Sequence, residues 1–222
     1  MPVDGGVDRL DVGAVRPLKP PRRKGLATHQ VRPETLMALP QPPDWLPLPE
    51  DAWALLGAVA SLDELVIAGD FVISGPSRGS DGLCSHGALA AATARYSRSY
   101  GAARLREALP LLRTGVESPR ETRTRLLVVR AGFPEPETCC PVPTASRLYH
   151  ADLGYPRWKI AIEYQGGYHY TGGLEQARHD NERYEAMRAA GWRVLLVTEH
   201  DLRDPRRFLA RLAAAIREQG RV

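Results

Sequence analysis

The chain has 222 residues, 43% of them hydrophobic, which is enough to bury one good core, or one core plus a smaller satellite. Its longest apolar runs, such as residues 194–197, fall far short of the roughly 18 needed to cross a membrane, and the N-terminus has no signal-peptide apolar region, so a soluble cytoplasmic protein without a membrane partner is expected. A formal charge of +4 is compatible with a polyanionic partner, while three cysteines, two of them adjacent at Cys139 and Cys140, make neither a disulfide framework nor a zinc site.

Residues 1–48 are rich in proline and carry the basic cluster Lys19-Pro20-Pro21-Arg22-Arg23-Lys24 without a sustained apolar period. They are expected to form an extended or partly disordered basic arm. Residues 49–114 change to helical spacing, with Trp53, Leu56 and Val59, then Leu62 and Val66, and later Leu105, Leu109 and Leu112. Gly75-Pro76 and the polar run that follows divide this stretch, so a small helical unit is expected, with these positions as core.

From residue 115 onward the pattern is that of a mixed α/β domain. Ser118 can cap a helix, Pro119 fits its first turn, and Glu121 can close a capping box; Gly132 and Pro134 stop the helix. Strand character follows over 138–143, 147–153 and 158–165, with Gly154, Tyr155 and Pro156 expected in a hairpin turn. A helix over 174–190, a buried strand over 192–198 and a closing helix over 205–219 complete the order, the last turning Phe208, Leu209, Leu212 and Ile216 inward. A sheet flanked by helices accommodates this arrangement.

In the strand from Trp158 to Gln165, a period of two puts Trp158, Ile160, Ile162 and Tyr164 on one face and Lys159, Ala161, Glu163 and Gln165 on the other. Glu163 so far inside an apolar strand is costly unless it meets a cation or several donors. Asp152, in the preceding strand, shares its side with His150. A two-residue turn sets Asp152 opposite Ala161, one diagonal step from Glu163; a four-residue loop, 156–159, sets it directly opposite Glu163, with Cβ atoms roughly 5 Å apart. Two carboxylates so close repel, and a bound Mg2+ or Mn2+ relieves the repulsion.

Asp152 followed by Glu163-x-Gln165 resembles the Asp...Glu-x-Lys signature of the restriction-endonuclease-like PD-(D/E)XK superfamily. More narrowly, Ser118-Pro119-x-Glu121, Asp152, Glu163-Tyr164-x-Gly166-x-x-His169, Asp180-x-x-Arg183 and Gly191-Trp192-Arg193-Val194 resemble the very-short-patch-repair-like bacterial family DUF559, over about half of the chain. Asp63-Glu64-Leu65-Val66 and Ala68-Gly69-Asp70 are similar to the linker of actinobacterial members. The chain departs from these relatives at Gln165, where they usually carry Asp, and at Leu196, where many carry Arg.

The resemblance implies a metal-dependent nuclease that hydrolyses phosphodiester bonds, with DNA ahead of RNA as partner, in a defence, repair or toxin-antitoxin setting. It implies Asp152 and Glu163 as ligands of Mg2+ or Mn2+, Gln165 orienting the attacking water, and His169 as acid, base or phosphate grip. Glu121 is either a further site carboxylate or a helix cap. Lys159, Arg178 and Arg183, with Arg188 and Arg193, are candidates for a basic rim that contacts nucleic acid, whereas Asp180 and Arg183 also suit structural pairing. Cleavage of both strands by one active site calls for a homodimer or two encounters. The alternative function is a nuclease-like domain without turnover, serving as a nucleic-acid-binding or regulatory module.

Overall fold

The structure, a computed structural model, describes residues 10–42, 45–75, 81–166 and 173–219. It contains two compact units, one reaching to Leu112 and one beginning at Arg113. In the first unit, β1 (Leu10–Val15) and β2 (Leu26–Val31) pair in parallel, from Leu10↔Leu26 to Val15↔Val31. The stretch expected as an extended or partly disordered arm therefore contains a paired ribbon, with Ala14 and Val31 buried and the basic cluster exposed in the connection between the strands.

Four helices follow: α1 (Pro49–Leu56), α2 (Leu62–Ser74), α3 (His86–Arg95) and α4 (Ala102–Ala108). They close around Trp53, Leu65, Val66, Leu89 and Leu105, and the Trp53 indole donates to the Leu65 carbonyl at 2.9 Å. Leu56 and Val59 do not join this core as their spacing suggested; they are 39% and 52% exposed, because α1 stops at Leu56 and the helical period stops with it.

The second unit is mixed α/β. Its elements are α5 (Pro119–Arg130), β3 (Glu137–Pro143), β4 (Leu148–Tyr155), β5 (Ile160–Tyr164), α6 (Gly173–Ala189), β6 (Arg193–Val197), α7 (Glu199–Arg203) and α8 (Arg206–Gln219). The sheet order is β3-β4-β5-β6, antiparallel through β5 and parallel between β5 and β6, where α6 makes the crossover that a parallel pair requires. Leu153, Tyr155, Ile160, Ile162, Leu195 and Val197 pack with Val128 of α5 and with Phe208, Leu212 and Ala215 of α8. A second cluster joins Cys140, Val142, Ala151 and Ala161 to Met187 of α6 and to Trp192. The sheet thus carries helices on both sides.

The hairpin between β4 and β5 takes the longer of the two loops open to the sequence. The register is Leu153↔Ile162, Gly154↔Ala161 and Tyr155↔Ile160, so the loop covers residues 156–159. Gly154 and Tyr155, expected in the turn, lie in β4; Trp158, expected in the strand, lies in a 3-10 turn, Pro156–Trp158, and Lys159 takes a left-handed φ of 46°. Proline at the start of the turn fixes its φ and favours this closure. Gly154 makes the close approach that holds β3 in place: a Cβ there would lie 2.6 Å from Cys140 Sγ and 3.0 Å from the Ile160 carbonyl oxygen. Gly154→Ala is expected to cost about 1–3 kcal/mol in urea unfolding, as overpacking of a well-filled core does; an unchanged midpoint would show that β3 is free to move aside.

Candidate functional site

The backbone of β5 turns its hydrogen-bonding groups alternately toward its two neighbours. The Gln165 N–H donates to the Val197 carbonyl of β6 at 2.7 Å, so the N–H of Tyr164, one residue earlier, faces β4. There it donates to the Asp152 carboxylate, Oδ2, at 2.8 Å. The regular β4–β5 pairing ends at Leu153↔Ile162, so Asp152 and Glu163 are the next residues beyond its last rung. Asp152 thus occupies the place where the ladder stops and a side chain takes over from a backbone carbonyl.

Glu163 is only 2% exposed. Its Oε1 accepts from Arg183 Nη2 at 2.7 Å, and the same nitrogen donates to the His150 carbonyl at 2.7 Å, which ties α6 to β4 and β5 together. Burial first, and then the charges of Glu163, Asp180 and Asp152, push the Tyr184 hydroxyl well above its ordinary range. Both strand carboxylates are therefore felt by one α6 side chain. On β3, burial pushes the Cys140 thiol up to about 12, with Glu137, Cys139 and Glu163 adding to the effect.

The third carboxylate comes from α5. Ser118 caps the helix, its hydroxyl accepting from the Glu121 N–H at 3.3 Å, but the expected box does not close on Ser118: Glu121 Oε2 reaches one residue further back and accepts from the Glu117 N–H at 2.9 Å. This leaves Glu121 buried. Its pKa is pushed up to about 7, by burial first and then by the negative charge of Asp152. Glu121 therefore serves the helix start and the carboxylate cluster together.

At the edge of this cluster the Tyr164 hydroxyl donates to Glu199 Oε2 at 3.2 Å and accepts from Arg120 Nε at 3.1 Å. Arg120 and Arg203 both flank Glu199, at 3.6 and 3.5 Å. Tyr184, Arg120 and Glu199 are site neighbours that the sequence did not single out.

Of the residues expected at the site, Glu121, Asp152, Glu163 and Arg183 come together. Gln165 is half-buried at the exit of β5. His169 lies outside the described residues. Lys159 is not at the site: it sits at the opposite end of β5, roughly 13 Å along the strand from Glu163, where its Nζ donates to the Ala190 carbonyl. Arg193 also belongs to that end, opposite Ile160 and 3.6 Å from Glu218, so it contributes nothing to a rim around the carboxylates. Arg178 and Arg188 are exposed on α6.

Among the described residues, no three His, Cys, Asp or Glu side chains stand together as a complete metal-holding group. The donors at hand are nevertheless of the hard oxygen kind that suits Mg2+ or Mn2+, and the repulsion between Asp152 and Glu121 is one that a divalent cation would relieve. The residues present fit such an ion in donor type, with Glu163 already paired to Arg183.

No family model matches the chain, and no solved structure does. Two uncharacterized proteins of Mycobacterium tuberculosis, from strains CDC 1551 and H37Rv, are each 28% identical to it over 132 residues, or 59% of this chain. The chain spans about half the length of these curated relatives, 48% of each.

The raised carboxyl of Glu121 has a defined pH signature. A carboxyl with a pKa near 7 when folded and near 4.5 when unfolded keeps its proton longer in the native state, so stability falls as pH rises from about 4.5 to about 7 and is level above that. Glu121→Gln, which keeps an acceptor for the Glu117 N–H, should therefore raise the thermal midpoint at pH 8 in EDTA, by the equivalent of about 2–3 kcal/mol, and leave it nearly unchanged at pH 4. An equal shift at both pH values would show that the carboxyl ionises without penalty.

Proposed function

We propose that residues 115–222 form a metal-dependent nuclease domain of the restriction-endonuclease-like kind, similar to the DUF559 proteins, that hydrolyses phosphodiester bonds and takes DNA as its first substrate. The observation that carries this reading is the raised pKa of the buried Glu121 carboxyl, to which the charge of Asp152 contributes, beside an Asp152 carboxylate that accepts from the N–H of Tyr164, the neighbour of Glu163 in β5. Mg2+ or Mn2+, when bound, supplies Lewis-acid activation of water and positive charge beside the scissile phosphate.

The remaining work falls to the chain's own groups. Asp152 is fixed by the Tyr164 N–H and Glu163 by Arg183, so both enter with their orientation already set. Asp152 and Glu163 would hold the cation. Gln165, at the exit of the same strand, has a carbonyl oxygen to orient the attacking water. Glu121, with a pKa near 7, can take or return a proton at neutral pH. Such a reading places the protein in the cytoplasm, in contact with nucleic acid, and is consistent with the lack of any helix, among the described residues, long and apolar enough to cross a membrane.

A second reading, a nuclease-like module that binds nucleic acid without cutting it, is favoured by one observation: Arg183 already neutralises Glu163, as an ion would. Incubation of the protein with supercoiled plasmid and Mg2+ or Mn2+ separates the two. Nicking that depends on the ion and falls at least roughly 100-fold in folded Asp152→Ala and Glu163→Ala variants is the expected outcome. Retention of plasmid without cutting under both ions would establish the binding module in its place.

A further inference from the structure

Beyond the end of β6 lies a second polar feature, an open cleft of about 280 Å³ lined by Thr198, His200, Asp201, Arg207 and Arg211. Thr198 directly follows Val197, whose carbonyl accepts from the Gln165 N–H. The cleft thus begins one residue beyond the rung of β6 that holds the exit of β5. Glu199, between Thr198 and His200, is the residue that accepts from the Tyr164 hydroxyl.

The charges around the cleft are unequally matched. Asp201 Oδ2 is taken up by the Thr198 N–H at 3.0 Å and by its hydroxyl at 2.8 Å, and Oδ1 lies 3.6 Å from Arg211. Arg211 also donates to the Leu196 carbonyl at 2.9 Å, which holds it in place. Asp204 is bound by both Arg206 nitrogens, at 2.8 and 2.6 Å, and Glu199 by Arg203 and Arg120. Each nearby carboxylate is therefore assigned to another cation. Among the described residues Arg207 is left without a carboxylate, and His200 stands exposed beside it. With Asp201 set against Arg211 and holding both donors of Thr198, the cleft retains the charge of Arg207 and the ring nitrogens of His200.

We infer that this cleft holds a backbone phosphate of a nucleic-acid strand that also reaches the carboxylate site, with Arg207 as the principal contact and His200 as a supporting donor. The planar guanidinium of Arg207, in the lining of a concave, solvent-open space, suits a phosphodiester oxygen pair. A contact of this kind fixes the register of the strand without reading its sequence. The assignment rests on the nucleic-acid reading given above and adds the position of a second phosphate to it.

Binding of a fluorescein-labelled DNA duplex to the full chain in EDTA, followed by anisotropy over a range of salt concentrations, tests it without any cleavage. Arg207 is exposed and lies outside the core, so Arg207→Ala keeps the fold. It should weaken binding at low salt and reduce the slope of log K against log salt by about 0.9, the value for one lost phosphate contact on a duplex. His200→Ala should weaken binding less. Arg217→Ala removes the same charge from the same helix roughly 15 Å away and should leave the slope unchanged.

Equal slopes for the Arg207 and Arg217 variants would overturn the cleft while leaving nucleic-acid binding intact. Displacement of the duplex by inorganic phosphate at matched phosphate concentration would also overturn it, since the cleft would then be a free-anion site. No binding of the duplex by the unaltered protein would remove both this assignment and the reading on which it rests. A plasmid left uncut, together with the predicted loss of slope, would remove catalysis alone.

Discussion

Glu163 carries a carboxylate into the buried end of an apolar strand, and the second unit is arranged around the need to compensate it. Taking a charge out of water costs several kcal/mol even after relaxation. Arg183 meets it from α6 and, with the same nitrogen, fastens the His150 carbonyl of β4. One ion pair therefore joins the crossover helix to both strands of the hairpin. The helix also brings Tyr184 against the same carboxylate, and Met187, two turns along from Asp180, enters the apolar cluster on that side of the sheet.

Asp152 Oδ2 accepts from the Tyr164 N–H, and Glu121 is buried, its pKa pushed up to about 7 by burial and by the charge of Asp152. A cluster whose only cause were stability would be served better by apolar groups of similar volume, because buried polar groups without full partners weaken a core. A buried carboxyl whose pKa is raised by burial and by a neighbouring carboxylate is the kind of local cost found at functional sites.

The features legible in the sequence were those set by period and by parity. Alternation along β5 identified Ile160 and Ile162 as one face, and the loop of 156–159 was one of two registers that parity allowed. Choosing between them depended on the left-handed φ of Lys159 and the proline-led 3-10 turn, which a strand pattern running from Trp158 conceals. The Ser118 cap was legible for the same local reason. The reach of Glu121 past Ser118 to Glu117 was not, because side-chain direction at a helix start depends on what is packed above it. The β1–β2 ribbon escaped notice since Gly13 interrupts its alternation and a proline-rich basic connection masks its ends. Arg120 and Glu199 meet only through the tertiary placement of α5 and α7 around Tyr164, and no spacing along the chain announces them.

The account stands on one claim, that Asp152, Glu163 and Glu121 form a single site with an excess of negative charge that a divalent cation satisfies. The most direct measurement is the thermal midpoint of the full chain titrated with MnCl2 at pH 7.5, beside Asp152→Asn and Glu163→Gln variants. A ligand that binds only the folded state at 100 times its Kd stabilises by about 2.7 kcal/mol, so the unaltered protein should show a midpoint that rises with Mn2+ concentration, with most of that rise absent in both variants. A midpoint indifferent to Mn2+, or one that rises equally in all three proteins, would contradict the account.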